Sequence, residues 1–317
     1  MLAVTLIFAI QANPLDVQRL SADPGITAVA VSRDGGYAFG FEDGHVEVWD
    51  SGGTQKSAFI ERGPVWTLAF SPDGKRIATG FRDDGRNVTT GIWSVQGRPL
   101  RYLDALQRKP ADPTSPMRGF SFVSTRWLAW SPDGRSLAAE HDGHLNTGVC
   151  IWSSDGTLLS RLSSISAGVH GLCFSPDGRS LAAGTDDGLM RAWYPNGSIK
   201  WEKRLSSRDS VVSVDYSPDG RKLGYCTSWQ EELIGTLAAS DGRPILRCAG
   251  EGAPSQVRLL PNNRMLVVRR SSLEIRSAGR TVSKATLPAV ITSLCVSFDR
   301  RSALVATSGC GAFRVAL

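Results

Sequence analysis

The residues in this chain whose types could do chemistry are few, and most have another duty. There are four histidines and six cysteines in 317 residues. His141-Asp142-Gly143-His144 has the spacing of a metal pair, but it coincides with an Asp-Gly turn signal and no third ligand accompanies it, so no metal is expected there. The aspartates that recur, Asp73, Asp133, Asp177 and Asp219, each stand in a Ser-Pro-Asp-Gly run. In such a run the carboxylate caps the turn backbone rather than moving protons. His170 and Asp215 are the two residues that hint at a converging site at a channel mouth. No Gly-x-Ser-x-Gly elbow, P-loop or dinucleotide-binding glycine run is present. The expectation is therefore no catalytic residue, no resident metal and no cofactor.

Stepping out from these aspartates reveals what positions them. Phe70-Ser71-Pro72-Asp73-Gly74 recurs as Trp130-Ser131-Pro132-Asp133-Gly134, Phe174-Ser175-Pro176-Asp177-Gly178 and Tyr216-Ser217-Pro218-Asp219-Gly220, with looser copies at Val31–Gly35, Leu259–Asn263 and Val296–Arg300. Proline presets the turn dihedral, aspartate caps it and glycine accepts positive φ, so each copy is a tight hairpin between two short apolar runs. The turns recur every 37–44 residues apart from one step of 60, close to the period of about 40–45 residues of a propeller blade. Each blade reads as four short strands. The clearest runs through Val169–Phe174, Leu181–Gly184, Leu189–Trp193 and Ser198–Trp201.

The Ser-Pro-Asp-Gly turns, the Asp-Gly pairs at 43–44, 84–85, 142–143 and 187–188, and the third-strand tryptophans Trp49, Trp93, Trp152 and Trp193 make the chain resemble the WD-repeat family of β-propellers. The Gly-His pair that opens a family repeat is absent from the expected places. The resemblance implies an all-β fold: a seven-bladed β-propeller of four-stranded antiparallel blades, closed by an N-terminal strand joining the last blade. Blades are expected near 26–60, 65–103, 125–162, 169–205, 211–248, 257–286 and 290–317. The closing strand comes from Leu2–Ile10 or Leu15–Leu20, and the 60-residue step is a Pro-rich loop insertion at 104–119. Blade five lacks its third-strand tryptophan, with Ala238 expected in that slot.

Composition agrees with a soluble globular chain: 41% hydrophobic and 21% charged residues. The net charge of +6 is concentrated between Val257 and Pro288, where seven Lys or Arg face only Glu274. That makes a basic sector on a neutral ring, suited to an acidic protein surface. Without interleaved aromatics it does not suit nucleic acid. The six cysteines form no spaced framework and read as buried free thiols, which favours a reducing compartment and a cytoplasmic location. The alternative is export, if residues 1–12 belong to a signal peptide. That run is too short to span a membrane.

The repeat frame separates packing positions from free ones. Six before the turn serine stand Ile26, Val65, Thr125, Val169, Val211 and Ile291. Three before stand Val29, Leu68, Leu128, Leu172, Val214 and Leu294. Both sets suit packing between blades. Five before stand Thr27, Trp66, Arg126, His170, Val212 and Thr292, which vary in size and charge. The resemblance places this slot near the rim of the central channel, where partners dock. Trp66, Arg126, His170 and Trp229, with Arg269 and Arg270 on the basic blade, are the expected partner-binding residues. The function expected is a non-catalytic protein–protein interaction scaffold. The competing reading is a propeller enzyme or a small-ligand or glycan binder at the channel mouth.

Overall fold

A computed structural model describes residues 13–82, 88–103, 124–141, 148–162, 168–228, 230–249 and 252–317. The insertion at 104–119, the His141-to-His144 run apart from the His141 backbone, and Trp229 fall outside the described residues.

The strands assort into seven sheets: five are four consecutive antiparallel strands in the order first, second, third, fourth, one adds a parallel fifth strand at its edge, and one takes its outer strand from the N-terminal region. Blade one is typical: Ile26–Val31, Tyr37–Phe41, His45–Trp49 and Gln55–Ile60. The second strand of blade one and that of blade four, Leu181–Thr185, are buried along their whole length. This is what a strand sandwiched between two neighbouring blades requires. Fourth strands lie at the periphery and are largely exposed, as at Pro244–Ala249.

The core is not one mass but a cluster in every seam. Seven clusters of buried side chains each draw on two adjacent blades. The cluster at the seam of blades seven and one joins Leu304 and Ala306 to Ile26 and Phe39, so the ring is closed. The six-before positions all lie buried, from Val65 and Val211 at 0% exposed to Ile291 at 6%.

Closure uses the second of the two N-terminal runs. Val17–Ser21 is the outer strand of blade seven, pairing antiparallel with Gly311–Ala316. Just before it, Asn13–Pro14 lies parallel to Arg280–Thr286 as a fifth strand on blade six.

Cross-strand register corrects one expectation. Trp93 faces Ile77, Trp152 faces Leu137 and Trp193 faces Leu181. In blade five the same register pairs Leu223 with Leu237, so Leu237 and not Ala238 occupies the tryptophan slot. In blade six Met265 pairs with Arg276, which puts an arginine there.

Candidate functional site

In every blade the first strand begins, and the second ends, at one face of the ring. The residues five before the turn serine meet there. The structure gives a reason for their variability. In blades one, two, five and seven the ladder skips one residue of the first strand: Thr27, Trp66, Val212 and Thr292. A skipped residue is a β-bulge, which frees its side chain from the alternation of the sheet and turns it to the rim. Packing therefore does not dictate what stands there.

Two predicted residues are brought together at this rim. Trp66 is half-buried and Arg126, on the next blade, is exposed. The Arg126 guanidinium carbon lies 4.7 Å from the centroid of the Trp66 ring, a cation–π arrangement. The Arg126 amide donates to Oε2 of buried Glu140 at 2.9 Å, which fixes the backbone carrying the guanidinium. The pair offers a flat aromatic face and a planar cation with few rotamers left to freeze, a combination common among binding hot spots.

His170 is placed differently. In blade four the skipped residue is Gly171, at φ +69°, so His170 stays in the ladder opposite Gly184. Its Nε2 sits 2.5 Å from Oδ1 of Asp186, which also accepts from the Ser210 hydroxyl at 3.2 Å. The imidazole is engaged within its own blade seam. Buried Asp209 accepts the amides of Gln230 at 3.0 Å and Glu231 at 2.6 Å, so a carboxylate anchors these two residues.

The basic pair on blade six divides. Arg270 is exposed at the turn between the second and third strands, on the same rim face. Arg269 is not a surface contact: it is 9% exposed, its Nε donates to Gly252 O at 2.9 Å and its guanidinium pairs with Glu274 at 2.5 Å. Lys284 shares the same carboxylate at 3.3 Å. The charge count along the chain already includes Glu274; what it does not show is that this acid holds Arg269 away from the surface.

Asp215 is likewise consumed. It is 8% exposed, accepts the Leu259 amide at 2.8 Å and pairs with Arg300 at 2.5 Å. Arg300 also donates to Leu259 O at 2.7 Å, so one side chain of blade seven joins blades five and six. Sequence reasoning missed Arg300. Its signal was present: an arginine standing where the other turns have glycine, here at φ +57°, where a non-glycine residue needs compensation. Within its electrostatic reach, burial pushes the Cys173 and Cys295 thiols above their ordinary range, and elsewhere burial pushes that of Cys226 up to about 12. Thiols held protonated at neutral pH are poor nucleophiles.

A WD domain, G-beta repeat description matches residues 16–50, 54–86 and 156–194. Each segment starts at an outer strand and runs into the next blade, so the sequence repeat is offset by one strand from the blade. The WD repeat-containing protein VIP3 of Arabidopsis thaliana is 31% identical over 150 residues, covering 45% of this chain and 40% of that relative. The chain thus matches less than half of the relative's length. The chain thus carries WD-repeat matches in three segments, on a closed seven-bladed ring of the kind WD-repeat β-propellers form.

Proposed function

We propose that this propeller is a non-catalytic scaffold that docks a protein partner on the rim face centred on Trp66 and Arg126, with Arg270 at a further point on the same face. The observation that carries the reading is the cation–π pair itself, an exposed arginine laid over an indole presented on a bulge. The carboxylates that might have served chemistry hold turns or ion pairs instead: Asp73, Asp133, Asp177 and Asp219 each accept from the serine two residues before. The WD-repeat matches support the reading, since WD-repeat propellers typically bind proteins. A reducing, cytoplasmic location fits six cysteines that all stand free.

The test is affinity capture from the native host with wild-type protein and with the Trp66→Ala, Arg126→Ala double variant. The expected result is loss of the captured partner with stability changed by no more than about 0.5 kcal/mol, as for surface substitutions generally. An unchanged set of captured proteins would refute the rim.

A further inference from the structure

The seam between blades five and six has the smallest buried cluster of the seven and a cavity beside it. Blades two to five stack their turns: a Cβ at Gly134 would stand 3.5 Å from the Pro72 ring, one at Gly178 3.6 Å from Pro132 and one at Gly220 3.5 Å from Pro176. Blade six breaks the series. Its turn is Pro261-Asn262-Asn263, one residue shorter, closing from the Leu260 amide to Arg264 O where blade two closes from Ser71 to Arg76. Pro218 of blade five is left uncovered.

A broken turn pair does not open a seam alone. Blade one has Arg33 in place of the proline, yet Trp93 seals blades one and two by stacking on Phe59 at 4.1 Å between centroids. Between blades four and five, where Leu237 replaces the tryptophan, Trp201 fills from the other side and donates to Ala239 O at 3.1 Å. Between blades five and six neither remedy exists. Arg276 holds the tryptophan slot, and the buried cluster is the smallest of the seven. The result is a cavity of about 790 Å3 at the turn face, opposite the Trp66 rim, lined by residues of both blades. A small pocket beneath Arg276 adjoins it.

The chemistry of this cleft is one-sided. Ile245 and Leu246 line it while 48% and 36% exposed, and Met265 forms its floor. The Nε of Arg264, which lines the cleft, is buried with no hydrogen-bond partner among the described residues; so is the Nε of Arg276, which lines the small adjoining pocket and donates from Nη2 to Gly279 O at 2.9 Å. Lys222 adds a third cation, spanning to Asn263 at 2.7 Å. The acid in the lining, Asp219, is already engaged by Ser217 and the Arg221 amide. Buried guanidinium N–H groups without acceptors cost free energy that an incoming carboxylate recovers.

We propose that the cleft between blades five and six is a second docking site, taking an extended segment of a protein partner in which carboxylate and large apolar side chains alternate. The alternation follows from the walls: in an extended strand successive side chains point to opposite sides, here the Arg264 side, with Arg276 in the adjoining pocket, and the Ile245 and Leu246 side. The trough is open along the fourth strand of blade five. The fourth strand of blade six already accepts a strand on its outer edge, at Asn13–Pro14.

The site is independent of the rim, and the experiment keeps the two apart. Immobilised protein is exposed to a degenerate mixture of octapeptides alternating Asp or Glu with Leu, Ile, Phe or Met, and to the matching Asn or Gln mixture. Wild type and the Trp66→Ala, Arg126→Ala variant are expected to retain the acidic mixture at least about tenfold over the amide mixture, with retention falling as salt rises. Arg276→Trp, which restores the filling of blades one to four, is expected to abolish the enrichment. Ile245→Glu, at an exposed position, serves if that variant does not fold, and is expected to reduce retention by about tenfold or more, the scale of one charge-assisted hydrogen bond. Equal retention of both mixtures, retention of neither, or full retention by the folded cleft variants overturns the proposal.

Discussion

Glu61 shows how one residue can fill a structural role with chemistry that its position does not suggest. It directly precedes blade two, is 4% exposed, and accepts from the Thr79 hydroxyl and the Trp93 indole N–H, tying the second and third strands to the blade before. Burial outweighs these hydrogen bonds and raises its pKa above the ordinary 4.5. The folded state therefore holds that proton more tightly than the unfolded chain does. The stability from this group is complete below about pH 4.5 and is lost as pH rises through the folded value. Glu61→Gln keeps an acceptor and does not titrate. Thermal unfolding of the two proteins should show their difference shifting in favour of Gln between pH 4 and pH 7. A difference independent of pH would show that the carboxyl is not strained by burial. Arg269 teaches the converse at the same scale. As one more positive charge in a basic run it looks available, and only the fold reveals Gly252 O and Glu274 around it.

At the scale of the element, the turn is the unit that repeats and the unit that was most legible. In blade two Ser71 donates to Asp73 at 2.5 Å, Asp73 accepts the Lys75 amide at 3.1 Å, and the Ser71 hydroxyl accepts the Arg76 amide at 3.0 Å. The partners lie within five residues, so the sequence carries the whole device. The serine hydroxyl, first among the causes, holds the Asp73, Asp133, Asp177 and Asp219 carboxyls below their ordinary range. A depressed folded pKa means stability that is present above the unfolded value, about 3.9, and is lost as pH falls through the folded one. Asp177→Ala is expected to cost about 1 kcal/mol at pH 7 and to flatten the loss of stability below pH 4 in denaturant titrations. The free slot of the first strand was also legible, because a bulge leaves its mark as variation among blades. What could not be read locally depends on register between strands. Leu237 was displaced by one position in favour of Ala238. Arg276 went unnoticed because the turn of blade six is one residue short, and the cleft that follows from it belongs to no single element.

For the whole molecule, the open question from sequence was how the ring is held shut, and two devices answer it. Seven seam clusters close the circle by burial. Arg300 adds a polar tie, joining blade seven to Asp215 of blade five and Leu259 of blade six. Its partners lie 85 and 41 positions away, out of reach of any local pattern. Arg300→Ala is expected to destabilise by about 3 kcal/mol, because it leaves the Asp215 carboxylate buried without its cation. The denaturant midpoint of Asp215→Asn with Arg300→Met should lie above that of the single variant; if both fall equally, the pair is not what ties these blades.

The pairing of Val17–Ser21 with Gly311–Ala316 sets a timetable for biosynthesis. Arg19 reaches the Cys310 carbonyl across 291 positions, so Val17–Ser21 lacks its partner until Gly311–Ala316 has left the ribosome. Domains emerge from synthesis in order of sequence, and here Val17–Ser21 must wait as an unpaired edge for Gly311–Ala316. An open horseshoe of six blades is the state that nascent-chain factors would meet.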